Sequence, residues 1–189
     1  MHYSLMDLIT DIFQNGAESG ADLMELFISE TVNSSRNEFS FTVKDNGKGM
    51  TNEELEQAKD PFFSDGIKHP RRRVGLGIPF LVQTAESTGG RWKIESKKRA
   101  ESLGITESAG TEVCAWFDLD NVDTPPVGDI AGMLRTVLLF EGPSEVMIKC
   151  RGRVNYQVCK TELSNAVGGL KDTRSLVLMS EYLKEIGVR

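Results

Sequence analysis

Between residues 4 and 19 the apolar side chains fall at Leu5, Leu8, Ile9, Ile12 and Phe13. That i, i+3, i+4, i+7 spacing predicts an amphipathic helix. Ser4 stands where an N-cap belongs, and Gly16 and Gly20 loosen the other end. The period then changes from helical to alternating. Residues 22–32 read as a strand and NSSRNE as a turn. Residues 38–45 set Phe39, Phe41 and Val43 on one face and Ser40, Thr42 and Lys44 on the other. The expectation is an antiparallel hairpin that ends at Asp45.

The same reading continues down the chain. Residues 51–59 form a short helix capped by Thr51 or Asn52, with acidic residues in its first turn. A helix over 78–88 stops at Gly89 and Gly90, and strands follow over 91–97 and 111–119. Val113, Ala115 and Phe117 share one face of the second strand, and Trp92 and Trp116 read as sheet-face anchors. The polar segment between these strands, KRAESLGITESAG, reads as a loop. The Pro- and Gly-bearing stretch DTPPVGD makes a rigid connector at 123–129. Beyond it lie a helix (129–140), a hairpin (145–150 and 154–159), a short helix (161–167) and a last helix (173–186) with Thr173 as its N-cap. These C-terminal residues either form a small α+β appendage or pack on the first unit. IAGMLRTVLLF is most simply core.

Bulk properties narrow the classes. A chain of 189 residues can bury a core without staples. A net charge of -6 argues against general affinity for nucleic acid or an anionic membrane. No apolar run approaches the roughly 20 residues of a membrane span. The N-terminus lacks a basic segment and carries Asp7 and Asp11, unlike a signal peptide. Three cysteines without CxxC spacing fit a reducing cytosol, so a cytoplasmic protein is expected. His2 and His69 alone leave little for histidine-based metal chemistry.

Chemistry concentrates in three places. VKDNGKGM delivers Asp45 into a turn of Asn46, Gly47, Lys48 and Gly49, ending at Met50. On its own this is a hairpin turn, but it also lets a flat ligand approach the backbone. Asp11 and Asn15 lie four apart, on one face of the first helix. They form either a solvated polar face or one wall of a cleft, where Asn15 would offer an amide oxygen to magnesium and Asp11 would polarise a water. Finally, DPFFSDGIKHPRRRVGLGIPFL brings Lys68, Arg71, Arg72 and Arg73 just before Gly75-Leu76-Gly77 and an apolar helix. Glycines at a helix N-terminus with cations upstream make an anion site. No Lys-Ser/Thr follows the glycines, so this is no P-loop, and Phe80 replaces the third glycine of a dinucleotide fingerprint.

Together these features resemble the GHKL superfamily of ATP-binding domains, shared by histidine kinases, type II topoisomerases, a heat-shock chaperone class and mismatch-repair ATPases. The resemblance covers about residues 4–120. Asp11 and Asn15 look like the N-box. Asp45, Gly47 and Gly49 look like the first glycine box, with Met50 beside it. Phe62 and Phe63 look like the aromatic box, Gly75, Leu76 and Gly77 like the second glycine box, and Gly110-Thr111 like the closing Gly-Thr. The resemblance implies a two-layer α/β sandwich, a mixed and mainly antiparallel sheet with helices on one face. It implies ATP or ADP as ligand, with Asp45 accepting from the adenine amino group and Thr111 supporting it. It further implies Asn15 on magnesium and Gly75, Leu76 and Gly77 presenting amides to the phosphates. Residues from about 63 to 74 would be a lid, with Lys68 and one or more of Arg71, Arg72 and Arg73 reaching the phosphates.

The branch within the superfamily is less marked. Hydrolysing members carry a glutamate where Asp11 stands, and aspartate is one methylene shorter. No helical hairpin with a phosphoacceptor precedes the N-box, and His2 is the sole candidate, so a self-contained sensor kinase is not expected. QNGAESGA, the PP-x-GD connector and the GG-L-x-D-T run resemble small free-standing bacterial histidine-kinase-like ATPases. Several of those are encoded beside iron-iron hydrogenase subunits. The expected function is an ATP·Mg-binding regulatory or accessory module acting on a protein partner, with 123–189 as a partner-binding region. The alternatives are a kinase of the anti-sigma-factor type and a slow ATPase using Asp11.

Overall fold

The computed structural model describes residues 4–33, 36–60, 76–99 and 109–188. The elements run α1 (Leu5–Glu18), β1 (Leu23–Asn33), β2 (Arg36–Asp45), α2 (Asn52–Lys59), α3 (Gly77–Ser87), β3 (Arg91–Lys97) and β4 (Gly110–Asp118). They continue with α4 (Ile130–Leu139), β5 (Glu145–Arg151), β6 (Tyr156–Cys159), α5 (Lys160–Val167) and α6 (Thr173–Glu185). The strands form one sheet in the order β3-β4-β2-β1-β5-β6. Neighbours are antiparallel except β1 and β5, which run parallel. This is the expected mixed, mainly antiparallel sheet with a helical layer.

Period-2 alternation decides which face is covered. Met24, Leu26 and Ile28 of β1, Phe39, Phe41 and Val43 of β2, and Val113, Ala115 and Phe117 of β4 are all buried. They join Leu5, Leu8, Ile9, Ile12 and Phe13 of α1 in a common core. Phe41 and Phe117 stack at 6.4 Å between ring centroids. Burying each such ring contributes about 1.5–3 kcal/mol. On the other face Lys44, Lys93 and Glu95 are exposed.

The N-terminus of α1 is held twice. Ser4 and Asp7 form a reciprocal capping box, which contributes about 1 kcal/mol. The amides of Leu5 and Met6 donate to the carbonyls of Pro126 and Val127, so the proline-rich connector clasps the same helix end. Thr51 caps α2 in a second capping box.

Of the two arrangements the sequence left open for the C-terminal residues, the structure shows packing on the first unit. β5 pairs with β1 from Leu23–Glu145 to Ser29–Arg151, and Val146 and Ile148 enter the common core. Phe140, which ends α4, stacks on Phe13 of α1 at 5.9 Å. Met133, Leu134, Val137 and Leu138 are buried, as the core reading of this helix expected.

Two local expectations are corrected. The cap of α6 is Asp172, not Thr173: its carboxylate accepts from the amide and the hydroxyl of Ser175. The hairpin strand expected from 154 starts at Tyr156, because Asn155 folds back to accept from the Gly152 amide in the turn. Among the described residues no helix is long and apolar enough to cross a membrane.

Candidate functional site

Asp45 lies on the same side of β2 as Val43 and Phe41, so the alternation drives a carboxylate toward the core. It is 8% exposed. Such a group needs donors. The Gly47 amide donates to its Oδ1 at 2.8 Å. The Ser19 hydroxyl sits 3.3 Å from the same oxygen and 2.7 Å from the Gly16 carbonyl, so its single proton serves two acceptors. Burial raises the pKa of the Asp45 carboxyl, while the bonds from Gly47 and Ser19 and one from the Thr111 backbone pull it back.

The glycine turn is pinned from three sides. Asn46 Oδ1 accepts from the amides of Asp22 and Leu23 at 2.9 and 3.0 Å. The Lys48 amide donates to the Ser19 carbonyl at 3.2 Å, and the Arg99 amide donates to the Lys48 carbonyl at 2.8 Å. The Arg99 guanidinium reaches the Asn46 carbonyl at 3.0 Å. Gly49 has φ +62°, and a Cβ there would collide with the Lys97 carbonyl. Gly110 has φ +141°, and a Cβ there would collide with the Asp45 carbonyl. Only glycine fits both positions.

Thr111 pairs directly with Asp45 across the β2–β4 ladder. Its hydroxyl is 2.8 Å from that of Ser96, which also accepts from the Met50 amide at 2.8 Å and lies 3.2 Å from the Gly110 carbonyl. Ser96 therefore ties the first glycine box to the closing Gly-Thr. Sequence reasoning missed it and Ser19. Ser19 had a signal, since it continues the Asp11, Asn15 stripe one turn further. Ser96 had none, because its role follows from the β3–β4 register.

Asp11, Asn15 and Ser19 are each half-buried along one side of α1. A Cβ built on Gly77 would sit 3.1 Å from Asp11 Cβ and 3.3 Å from Asn15 Nδ2. A Cβ on Gly16 would sit 3.2 Å from Asp45 Cβ. The stripe thus touches the start of α3 at one end and Asp45 at the other. Leu76 caps α3 without any side-chain bond. Pro79 has no N–H, which leaves Gly77 and Ile78 as the amide donors of the first turn. The Asn15 amide makes no side-chain hydrogen bond among the described residues. Asn15, half-buried beside the first turn of α3, carries a carboxamide whose oxygen is of the type that ligates a hard cation such as magnesium.

The structure thus brings together Asp11, Asn15, Asp45, Gly47, Gly49, Met50, Leu76, Gly77 and Thr111. Phe62, Lys68, Arg73 and Gly75 lie outside the described residues. A separate cavity of about 290 Å³ lies at the other end of the sheet, near Asn37, Arg91 and Trp116. Its polar groups bond to one another: Arg91 pairs with Glu38 at 3.1 Å, and the Asn37 amide donates to Asp120 at 3.1 Å.

The family model of histidine kinase-, DNA gyrase B- and HSP90-like ATPases matches residues 3–121. The chain belongs to this ATPase family. No curated protein matches it. Among solved structures it is similar to the N-terminal domain of a DNA repair protein, at 8% identity and TM-score 0.54, covering 92% of this chain and 58% of that one. At that identity the likeness concerns the fold alone. The topoisomerase IV ATP-binding domain of Francisella tularensis, solved with a small-molecule inhibitor, matches at 15% identity and TM-score 0.47, over 82% of this chain and 84% of that one. The mycobacterial sensor histidine kinase MprB matches at 14% identity and TM-score 0.40, over 59% and 69%.

Proposed function

We propose that this ATPase-family chain binds ATP with magnesium and acts as a nucleotide-dependent regulatory or accessory module on a partner protein. The observation that carries the reading is the α1 stripe, which joins Asp45 to the α3 N-terminus through Asn15. In this reading the ionised Asp45 carboxylate, an acceptor only, takes the adenine amino group and rejects the guanine carbonyl. Asn15 holds magnesium, which neutralises phosphate charge when bound. The Gly77 and Ile78 amides receive phosphate oxygens. Lys68 and Arg73 add positive charge from the lid that the sequence places at 63–74.

Asp11 supports a second reading, slow hydrolysis. It lies one helical turn from Asn15 and against Gly77, where a carboxylate orients a water toward the terminal phosphate. The partner reading rests on the resemblance of QNGAESGA and the C-terminal runs to hydrogenase-associated ATPases, so a hydrogenase-type complex is the partner to test first. A cytoplasmic setting agrees with the three free cysteines.

Calorimetric titration of ATP and GTP, each with and without magnesium, tests the binding. Binding of ATP but not GTP, strengthened by magnesium, is expected; equal binding of both nucleotides would refute the role of Asp45. Loss of turnover in Asp11→Asn with ATP binding intact would favour the hydrolytic reading.

A further inference from the structure

On the side of α1 away from the nucleotide cleft, the end of α4 and the α5–α6 turn enclose a groove of about 590 Å³. That volume lies within the range of ligand pockets. Leu138, Leu139, Phe140 and Leu170 supply its apolar wall, and Lys160 and Lys171 supply cations. The GGLKD run builds one side. Gly168 ends α5 at φ +81°, Gly169 follows at φ +119°, and the chain turns so that Leu170 packs on the core edge with Lys171 beside it.

Lys160 is the telling group. Its half-buried ammonium donates to the carbonyls of Phe140 and Pro143, both at 3.0 Å. An ammonium has three donors, so one remains. Among the described residues neither Lys160 nor Lys171 forms an ion pair. Burial lowers the Lys160 pKa and the Glu145 charge raises it in part. Glu141 is the one carboxylate lining the groove, and it is exposed. Leu139, 39% exposed, leaves apolar surface open at the edge. Lys160 keeps one donor uncommitted and its charge is offset only in part by Glu145, and Lys171 adds a second cation; beside exposed Leu139 the pair is complementary to a carboxylate on an apolar chain.

We propose that this groove is the docking site for a partner-protein segment that presents a carboxylate flanked by apolar side chains. The groove does not depend on nucleotide; its use by a regulated partner rests on the accessory reading above. Phe140 lines the groove and stacks on Phe13, which lies on the same turn of α1 as Asp11 and Asn15. Occupancy therefore bears on the helix that also walls the cleft.

The test is methyl NMR on the full chain, titrated without nucleotide with short capped peptides of alternating leucine and glutamate, leucine and glutamine, or leucine and lysine. The Leu–Glu peptide is expected to shift the methyls of Leu138, Leu139 and Leu170 and to bind most tightly. Leu139→Gln and Lys171→Glu alter exposed side chains, so the fold is retained; each is expected to weaken that binding about tenfold. Equal binding of the Leu–Gln peptide, shifts elsewhere, or unchanged affinity in both variants would overturn the proposal. ATP added to the same samples separates the two readings. Peptide binding without ATP binding removes the nucleotide role alone, and ATP binding without peptide binding removes the groove alone.

Discussion

Asn15 of α1 and Gly77 of α3 meet so closely that a Cβ on Gly77 would come within 3.3 Å of the Asn15 amide nitrogen. The glycine lets the first-turn amides of α3 lie directly over the proposed metal ligand. Gly77→Ala requires its neighbours to give by a few tenths of an ångström, an overpacking cost of about 1–3 kcal/mol that the better helix propensity of alanine offsets by about 1 kcal/mol. Its effect on nucleotide should be selective for the phosphates. ATP affinity is expected to fall at least about tenfold while adenosine affinity changes little. Parallel titrations with ATP and adenosine check this, and an equal loss for both would contradict it.

Asp45 carries a cost in the free protein. A carboxyl whose pKa rises on folding favours the folded state when protonated. That contribution is complete below the unfolded carboxylate range and is lost as pH rises through the raised value. At neutral pH, Asp45→Asn removes the burial cost, and the Asn oxygen still accepts from the Gly47 amide. The variant is expected to melt at or above the wild-type temperature at neutral pH, with the gap closing toward acid. Thermal melts across pH check it, and a lower neutral melting temperature would contradict it.

Ser96→Ala strips a partner from both the Met50 amide and the Thr111 hydroxyl. Leaving such groups unsatisfied costs about 1–3 kcal/mol. Urea denaturation should show that loss, accompanied by weaker ATP binding because the glycine turn loosens. Unchanged stability would mean that water replaces the serine without penalty.

A chain cut after residue 122 loses β5 from the edge of β1, Phe140 from the face of Phe13, and the connector carbonyls from the start of α1. It is expected to aggregate or unfold without cooperativity. A sharp urea transition for residues 1–122 by circular dichroism would contradict this.

Local patterns made much of the structure legible in advance. The α1 periodicity, the β1–β2 hairpin and the bounds of β3 follow from spacing and turn residues. Alternation also put Asp45 on the buried side of β2, which is what makes its carboxylate informative. Long-range pairing was less visible. Nothing in the EVMIKCR stretch says that it runs parallel to β1 rather than forming an appendage, because register between distant strands has no local signature. Ser96 was invisible for the same reason. At α6 the cap moved by one residue because Asp172 and Thr173 are both good caps, and the geometry of Ser175 favoured the carboxylate.

The central claim is that Asp45 reads adenine in a cleft completed by Asn15 and the α3 N-terminus. Titration of magnesium-ATP into wild type and Asp45→Asn tests it most directly, since the folded scaffold survives the substitution. Wild type is expected to bind ATP measurably and the variant to lose at least about tenfold, the scale of one charge-assisted hydrogen bond. Equal affinity in the two proteins, or no ATP binding by wild type, would contradict it.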